Sequence, residues 1–277
     1  MAYRVHLHLV SDATGETLES VVKAALAQFD GVDVAKHYWP MIRSPRQMER
    51  VMQDIAERPG LVLYTLVNET IREVLQNSCR ALGLVSVSVL DPVIQALQPF
   101  LGVKAHGRPG RQHAMDAAYF RRIEAMQFTL THDDGHLPDV MDDADIVIAG
   151  VSRTSKTPTS MYLANRGYKT TNIPLVPGTP IPDRLFQPTR AFIVGLTSAP
   201  DRLMQIRKNR LLALNEDKDT TYIDGDHVRE EITFARRLFS KHGWPVIDVT
   251  RRSIEETAAA IIALKSQSEE EQEAENP

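Results

Sequence analysis

Eight residues in a row, Gly150, Val151, Ser152, Arg153, Thr154, Ser155, Lys156 and Thr157, carry the densest chemistry of the sequence. A glycine, a short variable stretch and then Ser-Lys-Thr is the spacing of a phosphate-binding loop (P-loop), whose successive backbone N–H groups form a concavity for phosphate oxygens. In that chemistry Lys156 adds a mobile positive charge, and the Thr157 hydroxyl sits on a Mg²⁺ that bridges two phosphates. Arg153 reads either as a further cation beside the phosphates or as a solvent-facing loop arginine. The usual loop has a second glycine just before the lysine, and Ser155 occupies that place. If the position needs a positive φ, a serine there costs on the order of 1 kcal/mol.

Phosphoryl transfer needs more than a cradle. It takes an acid on the magnesium side, cations that follow the moving group, and a residue that accepts the acceptor's proton. Asp224 and Asp248 are candidates for the first task, with structural roles as the alternative for each. Lys169 and the cluster Arg202, Arg207, Lys208 and Arg210 can supply cations, unless the cluster is the exposed face of an amphipathic helix. Asp133 and Asp134 are adjacent, so one can face the site as a base while the other caps a turn. His113 and Asp116 share a helix face, but no third ligand accompanies them, which argues against a metal site there. Ser11, Asp12, Thr14 and Thr17, in the turn SDATGET, can hydrogen-bond an anion or a partner, or simply cap a helix.

The elements around these residues must hold them in place. The apolar run 146–149 predicts a buried parallel strand ahead of the loop, and Lys156 with Thr157 opens a helix after it. The free N–H groups and positive dipole end of that helix then face the cradle. Upstream, strands are predicted at 3–10, 32–38, 61–67 and 84–90, alternating with helices that Ser44-Pro45 and Asn68 start and Gly83 stops. Downstream, strands at 168–176 and 192–196 and one ending near Asp248 alternate with helices again. This order predicts an α/β fold with two parallel-sheet α/β domains, the C-terminal one P-loop kinase-like. The expected organisation is a domain over 1–105, a connecting helical and polar segment over 106–140, the loop-bearing domain over 141–265 and a disordered acidic tail over 266–277.

Composition bounds the function. The tail glutamates 269, 270, 271, 273 and 275 more than account for the formal charge of −4, so the rest of the chain is close to neutral. That argues against a dedicated nucleic-acid binder. One cysteine, Cys79, excludes an intramolecular disulfide framework and reads as a buried inert thiol. The start, MAYRVHLHLVSD, lacks the apolar core of a signal peptide, and no run reaches the ~18 to 20 apolar residues of a membrane span. A cytoplasmic protein with no membrane partner is expected.

The stretch GVSRTSKTPTSMYLANRGYKTTNIPLVPG, with SDATGET near the start and HGRPGRQHAMDAAYFRRIEAMQFTLTHDDG in the middle, resembles the pyruvate, phosphate dikinase regulatory proteins of bacteria and plants. The closely similar phosphoenolpyruvate synthase regulatory proteins share the architecture. The resemblance implies a bifunctional enzyme that phosphorylates a threonine of its target with ADP as donor, releasing AMP. It also implies the reversal by inorganic phosphate, releasing diphosphate. Carried over, the nucleotide-binding loop falls on Gly150 to Thr157; the catalytic role of Lys156 and the metal role of Thr157 come from the loop chemistry above. Ser155 places the wording nearer the dikinase branch than the synthase branch. The N-terminal domain, α/β without such a loop of its own, is the expected docking half for the target. A homodimer is left open, and a small-molecule P-loop kinase is the alternative that the loop alone would allow.

Overall fold

The computed structural model describes residues 4–110, 115–133, 143–187, 189–214 and 220–275. The chain divides into two compact units, Met1–Ala114 and Met115–Pro277.

The first unit contains β1 (Val5–Ser11), α1 (Glu16–Leu26), β2 (Val34–Trp39), α2 (Pro45–Glu57), β3 (Leu61–Thr65), α3 (Glu69–Ala81), β4 (Ser86–Ser88) and α4 (Asp91–Leu101). All strand pairs are parallel, in the order β2-β1-β3-β4. The two-residue period of β1 sends Leu7 and Leu9 to one face, where they meet Leu18 and Val22 of α1. Val10 goes to the other face, into a core built with Met48, Met52 and Ile55 of α2 and Ile71 and Leu75 of α3. Helix starts follow the sequence chemistry. Ser44 accepts from the Gln47 N–H with Pro45 in the first turn, and Asn68 accepts from the Ile71 N–H. Gly83, at φ 65°, ends α3, and the Leu84 N–H returns to the Cys79 carbonyl at 2.8 Å. Cys79 is buried, and burial pushes its thiol pKa up.

His8, beside Val10, is fully buried. Its Nε2–H donates to the Arg58 carbonyl at 2.8 Å, and Nδ1 accepts from the Trp39 indole N–H at 3.2 Å. The His37 ring stacks on it at 4.7 Å between centroids, and His6 Nδ1 lies 2.9 Å from His37 Nε2. Burial holds His8 and His37 below the ordinary histidine pKa, and neighbouring positive charge adds to it.

The second unit opens with α5 (Ala117–Thr131) and continues with β5 (Ile146–Gly150), α6 (Lys156–Asn165), β6 (Thr170–Pro174), a 3₁₀ turn (Asp183–Phe186), β7 (Phe192–Thr197), α7 (Pro200–Leu214), α8 (Thr220–Ile223), α9 (Gly225–His242), β8 (Val246–Asp248) and α10 (Ile254–Glu275). Its sheet is again wholly parallel, in the order β6-β5-β7-β8. Ile146 and Ile148 pack on Leu163 of α6 and on Ala258 and Ile261 of α10. Val147 and Ala149 face Leu203 of α7 and Val228, Ile232, Ala235 and Phe239 of α9. Burial on both faces explains why residues 146–149 read as an unbroken apolar run. Gly195 of β7 lets Phe239 press on the sheet, since a Cβ there would lie 2.6 Å from the ring.

Three expectations need correction. The strand expected at 84–90 is confined to Ser86–Ser88. The acidic tail, expected to be disordered, continues α10 to Glu275. Glu, Ala, Gln and Lys are strong helix formers, and contacts four residues apart, Lys265 to Glu269 and Gln267 to Glu271, align along the helix. The segment expected as a connection is divided, since α5 packs on α6 and β6 within the second unit. Arg111, His113, Asp134 and the Asp134-Gly135 turn lie outside the described residues.

Candidate active site at the carboxyl end of the second sheet

In both sheets the first strand is flanked by the second on one side and the third on the other. The chain therefore leaves the first strand at a topological switch point, where open parallel sheets bind their ligands. In the second unit this position belongs to the turn from β5 to α6. Gly150 registers with Pro174 of β6 and Leu196 of β7. A Cβ on Gly150 would sit 2.8 Å from the Leu196 carbonyl and 2.9 Å from Thr154 Oγ1, so close approach selects glycine here.

The rest of the turn is held by its own polar atoms. The Thr154 hydroxyl, fully buried, donates to the Val151 carbonyl at 2.9 Å, and Lys156 Nζ donates to the same carbonyl at 3.1 Å. Lys156 is itself buried. Arg153 at φ 72° and Ser155 at φ 60° are left-handed, so the serine sits where a glycine would be unstrained. Ser155 is the N-cap of α6 without a side-chain cap, and no acidic residue stands in the first turn. The free N–H groups of α6 and its positive end are therefore not offset by acids in that turn.

A second strand brings in the acid. β6 is the edge strand beside β5, yet Thr170, Thr171 and Asn172 on it are all buried. Each is used on the C-terminal turn of α5. The Thr170 N–H donates to Thr129 Oγ1 at 3.1 Å, the Thr171 hydroxyl donates to the His132 carbonyl at 2.7 Å, and Asn172 Nδ2 donates to Asp133 Oδ1. The Thr157 hydroxyl also donates to Asp133 Oδ1, at 3.2 Å. A lysine ammonium, a hydroxyl and a carboxylate are thus gathered at one end of the sheet.

Behind the loop, Arg207 of α7 is fully buried. Its guanidinium donates from both terminal nitrogens to Glu231 of α9, and also to the Tyr222 carbonyl at 3.0 Å and the Ser152 carbonyl at 3.3 Å. It lies over the Tyr222 ring at 4.6 Å. The Tyr222 hydroxyl accepts from Arg153 Nε at 3.1 Å. The loop is thereby tied to α7, α8 and α9 together.

The structure sorts the remaining sequence candidates. Lys169 is not brought to the loop, because it precedes β6 at the amino ends of the strands, where its backbone pairs with Asp145. Five residues of strand, about 16 Å, separate those ends from the loop. Its ammonium pairs with Glu124 at 2.6 Å, which raises its pKa. Asp224 caps α9 by accepting from the Asp226 and His227 N–H groups. Asp248 takes the Thr250 N–H at 2.8 Å and the Thr250 hydroxyl. Burial pushes its carboxyl up, but those bonds and the Arg236 and Arg252 charges outweigh it and leave it below the usual range. Both acids are committed to turns. Of the cation cluster, Arg202, Lys208 and Arg210 are exposed, and Arg207 alone turns inward. Asn172, Tyr222 and Glu231 have no spacing signal in the sequence. The one available hint was Thr-Thr-Asn inside a strand that the fold requires to be buried.

The equivalent end of the first sheet is built differently. Ser11, Asp12, Gly15, Thr17, Thr65, Val67 and Arg108 line a cavity of about 160 Å³ there. Asp12 is buried and accepts from the Val67 N–H at 2.7 Å. Burial raises its pKa, opposed by the N–H bonds from Val67 and Asn68. Ser11 Oγ accepts from Thr65 and from the Ala13 N–H.

Comparison with known proteins agrees with one lineage for the whole chain. A family profile described as kinase/pyrophosphorylase matches residues 7–262. A protein of Rhizorhabdus wittichii is 59% identical over 271 residues, 98% of this chain and 99% of its own length. Proteins of Novosphingobium aromaticivorans and Erythrobacter litoralis are each 60% identical, covering 94% and 95% of this chain and 93% and 95% of their own. All three are provisionally named pyruvate, phosphate dikinase regulatory proteins. With two parallel sheets, a lysine-bearing turn at the switch point of the second and a match over nearly its full length, the chain belongs to the kinase/pyrophosphorylase family.

Proposed function

We propose that the chain regulates pyruvate, phosphate dikinase by phosphorylating a threonine of that enzyme with ADP, and that it removes the same phosphoryl group with inorganic phosphate. The observation that carries this reading is the turn Gly150 to Thr157, with Lys156 and Thr157 opening α6 and Asp133 hydrogen-bonded to Thr157. Bound there, the diphosphate of ADP lies on the N–H groups of a P-loop, and Lys156 exchanges the Val151 carbonyl for a phosphate oxygen. Thr157 Oγ1 and Asp133 are hard oxygen donors, the type Mg²⁺ takes alongside phosphate oxygens, and the ion would supply charge neutralisation on the diphosphate.

In the forward direction the threonine oxygen attacks the β-phosphorus, the bond from that phosphorus to the bridging oxygen breaks, and AMP leaves. The hydroxyl proton passes to a carboxylate. We assign that task to the adjacent pair Asp133 and Asp134. In reverse, an oxygen of inorganic phosphate attacks the phosphothreonine phosphorus, the bond from that phosphorus to the threonine oxygen breaks, the threonine oxygen takes up a proton, and the diphosphate so formed is released. One loop serves both reactions. The names of the relatives favour the dikinase over phosphoenolpyruvate synthase as the target.

The test is incubation with ADP labelled in the β-phosphate together with the dikinase or the synthase. Label on a dikinase threonine is the expected result. Label confined to a small molecule would replace this reading with a metabolite kinase, and tight ADP binding without transfer would make the chain a nucleotide switch.

A further inference from the structure

We propose that Asn172 is the positioning residue for Asp133, a role that rests on the metal-side reading of Asp133 and Thr157 given above. β6 pairs with β5 through Asn172 and Ile148, and Asn172 is fully buried. A parallel strand in that position is ordinarily built from Val, Ile and Leu. An amide there is a destabilising choice, and more so because Asn172 Oδ1 has no hydrogen-bond partner among the described residues. Its one visible return is the bond from Nδ2 to Asp133 Oδ1.

That bond has directional value. Asp133 follows the end of α5, where the chain has already left helical geometry at His132, φ −116° and ψ 28°. The helix does not fix the Asp133 side chain, so orientation has to come from outside. Asn172 and Thr157 both donate to Oδ1 and hold the carboxylate from opposite elements, β6 and α6. Among the described residues no hydrogen bond engages Oδ2, which leaves it for a cation shared with Thr157. Thr170 and Thr171 fasten the preceding turn to the same strand, so Asn172 completes a row that sets residues 129–133 in register with β6.

The experiment is a Mn²⁺ titration of the full chain by electron paramagnetic resonance, with and without ADP, on wild type and Asn172→Leu. Leucine has the same number of side-chain heavy atoms in the same branched arrangement and removes the unpartnered amide, so the variant should melt no lower than wild type. Its Mn²⁺ affinity in the presence of ADP should fall about tenfold or more, while ADP affinity without metal stays unchanged. In an Asp133→Asn background the same substitution should have no further effect on Mn²⁺. Unchanged Mn²⁺ affinity in Asn172→Leu, or an equal loss with Asp133 already neutral, overturns the assignment. If Asn172→Leu does not fold, Asn172→Thr, a strand former that lacks the amide, is measured with the same expectation. A wild type whose ADP affinity is indifferent to Mn²⁺, and in which Thr157→Ala changes nothing, removes the metal-side reading itself and this inference with it.

Discussion

The two sheet ends are near copies with opposite charge. Both units run strand, turn, helix at the switch point of a 2-1-3-4 sheet, and both turns end on a left-handed N-cap with no side-chain cap, Gly15 at φ 88° and Ser155 at φ 60°. The sequences match across the cap, Thr14-Gly15-Glu16-Thr17 against Thr154-Ser155-Lys156-Thr157. The first helix then carries Glu16 and Glu19 in its opening turn, whereas the second carries a lysine and no acid. Topology sets where a ligand can sit, and the charge in the opening turn of the helix biases that end toward or away from an anion.

The comparison is broken most severely by removing what ties the second turn down. Arg207→Met takes the paired guanidinium from buried Glu231 and leaves it the more distant His227 ring at 4.0 Å, at a cost of about 3 to 5 kcal/mol, and should lower the denaturation midpoint of the second unit. Each unit has its own tryptophan, Trp39 and Trp244, so single-tryptophan variants read the two transitions separately. An unshifted Trp244 transition would mean that the buried pair does not anchor the loop. Next, Lys156→Ala should reduce both ADP-dependent labelling and phosphorolysis by about 10² to 10³, the scale of one lost electrostatic contact to the transition state. Glu16→Ala, at the matching position, should change neither. Full phosphorolysis in Lys156→Ala would separate the two reactions into different sites.

The units should also part company in acid. His8 is held neutral, with its folded pKa below the unfolded value of 6.5. As pH falls through 6.5 the unfolded state binds a proton that the folded state refuses, so the first unit loses stability with falling pH until its folded pKa is reached. His37 acts in the same direction. Protonation at Nδ1 would also confront the Trp39 indole N–H, so Trp39 emission in a Trp244→Phe background should change along with the loss. A first unit equally stable at pH 5 and 7 would contradict the buried neutral tautomer. The smallest effects lie at the caps. Ser155→Gly should retain activity and gain about 1 kcal/mol, and Gly15→Ser should lose about as much. A stability loss in Ser155→Gly would indicate that the serine hydroxyl contributes to the turn.

What the sequence made legible follows physical period. Residues 146–149 and 61–64 are apolar because both sheet faces are covered, so their strands could be read directly. Ser44 and Asn68 announced helices because their side chains satisfy local N–H groups. The loop was legible for the same reason, since its spacing is local. Partners that come from distant elements were not. Arg207 looked like its exposed neighbours, because its burial depends on Glu231, which lies 24 residues on and one helix away. Asn172 carries meaning only once β6 is placed against α5. Lys169 was misplaced because sequence distance to the loop says nothing about which end of a strand a residue occupies.

The extended α10 changes where this chain can be cut. Lys265, Ser268, Glu269 and Gln272 form one wall of a groove whose other side holds Phe186, Phe192, His242 and Trp244. The rings of Phe186, His242 and Trp244 stack in that groove with centroids 4.7 to 6.2 Å apart. Trimming the acidic end at Lys265 as a dispensable appendage would strip that wall and open the half-buried His242 and Trp244, with the already exposed Phe186, further to water. The shortened protein should then be less soluble than its charge suggests, because Glu269 and its neighbours on that wall contribute by the surface they cover as well as by charge.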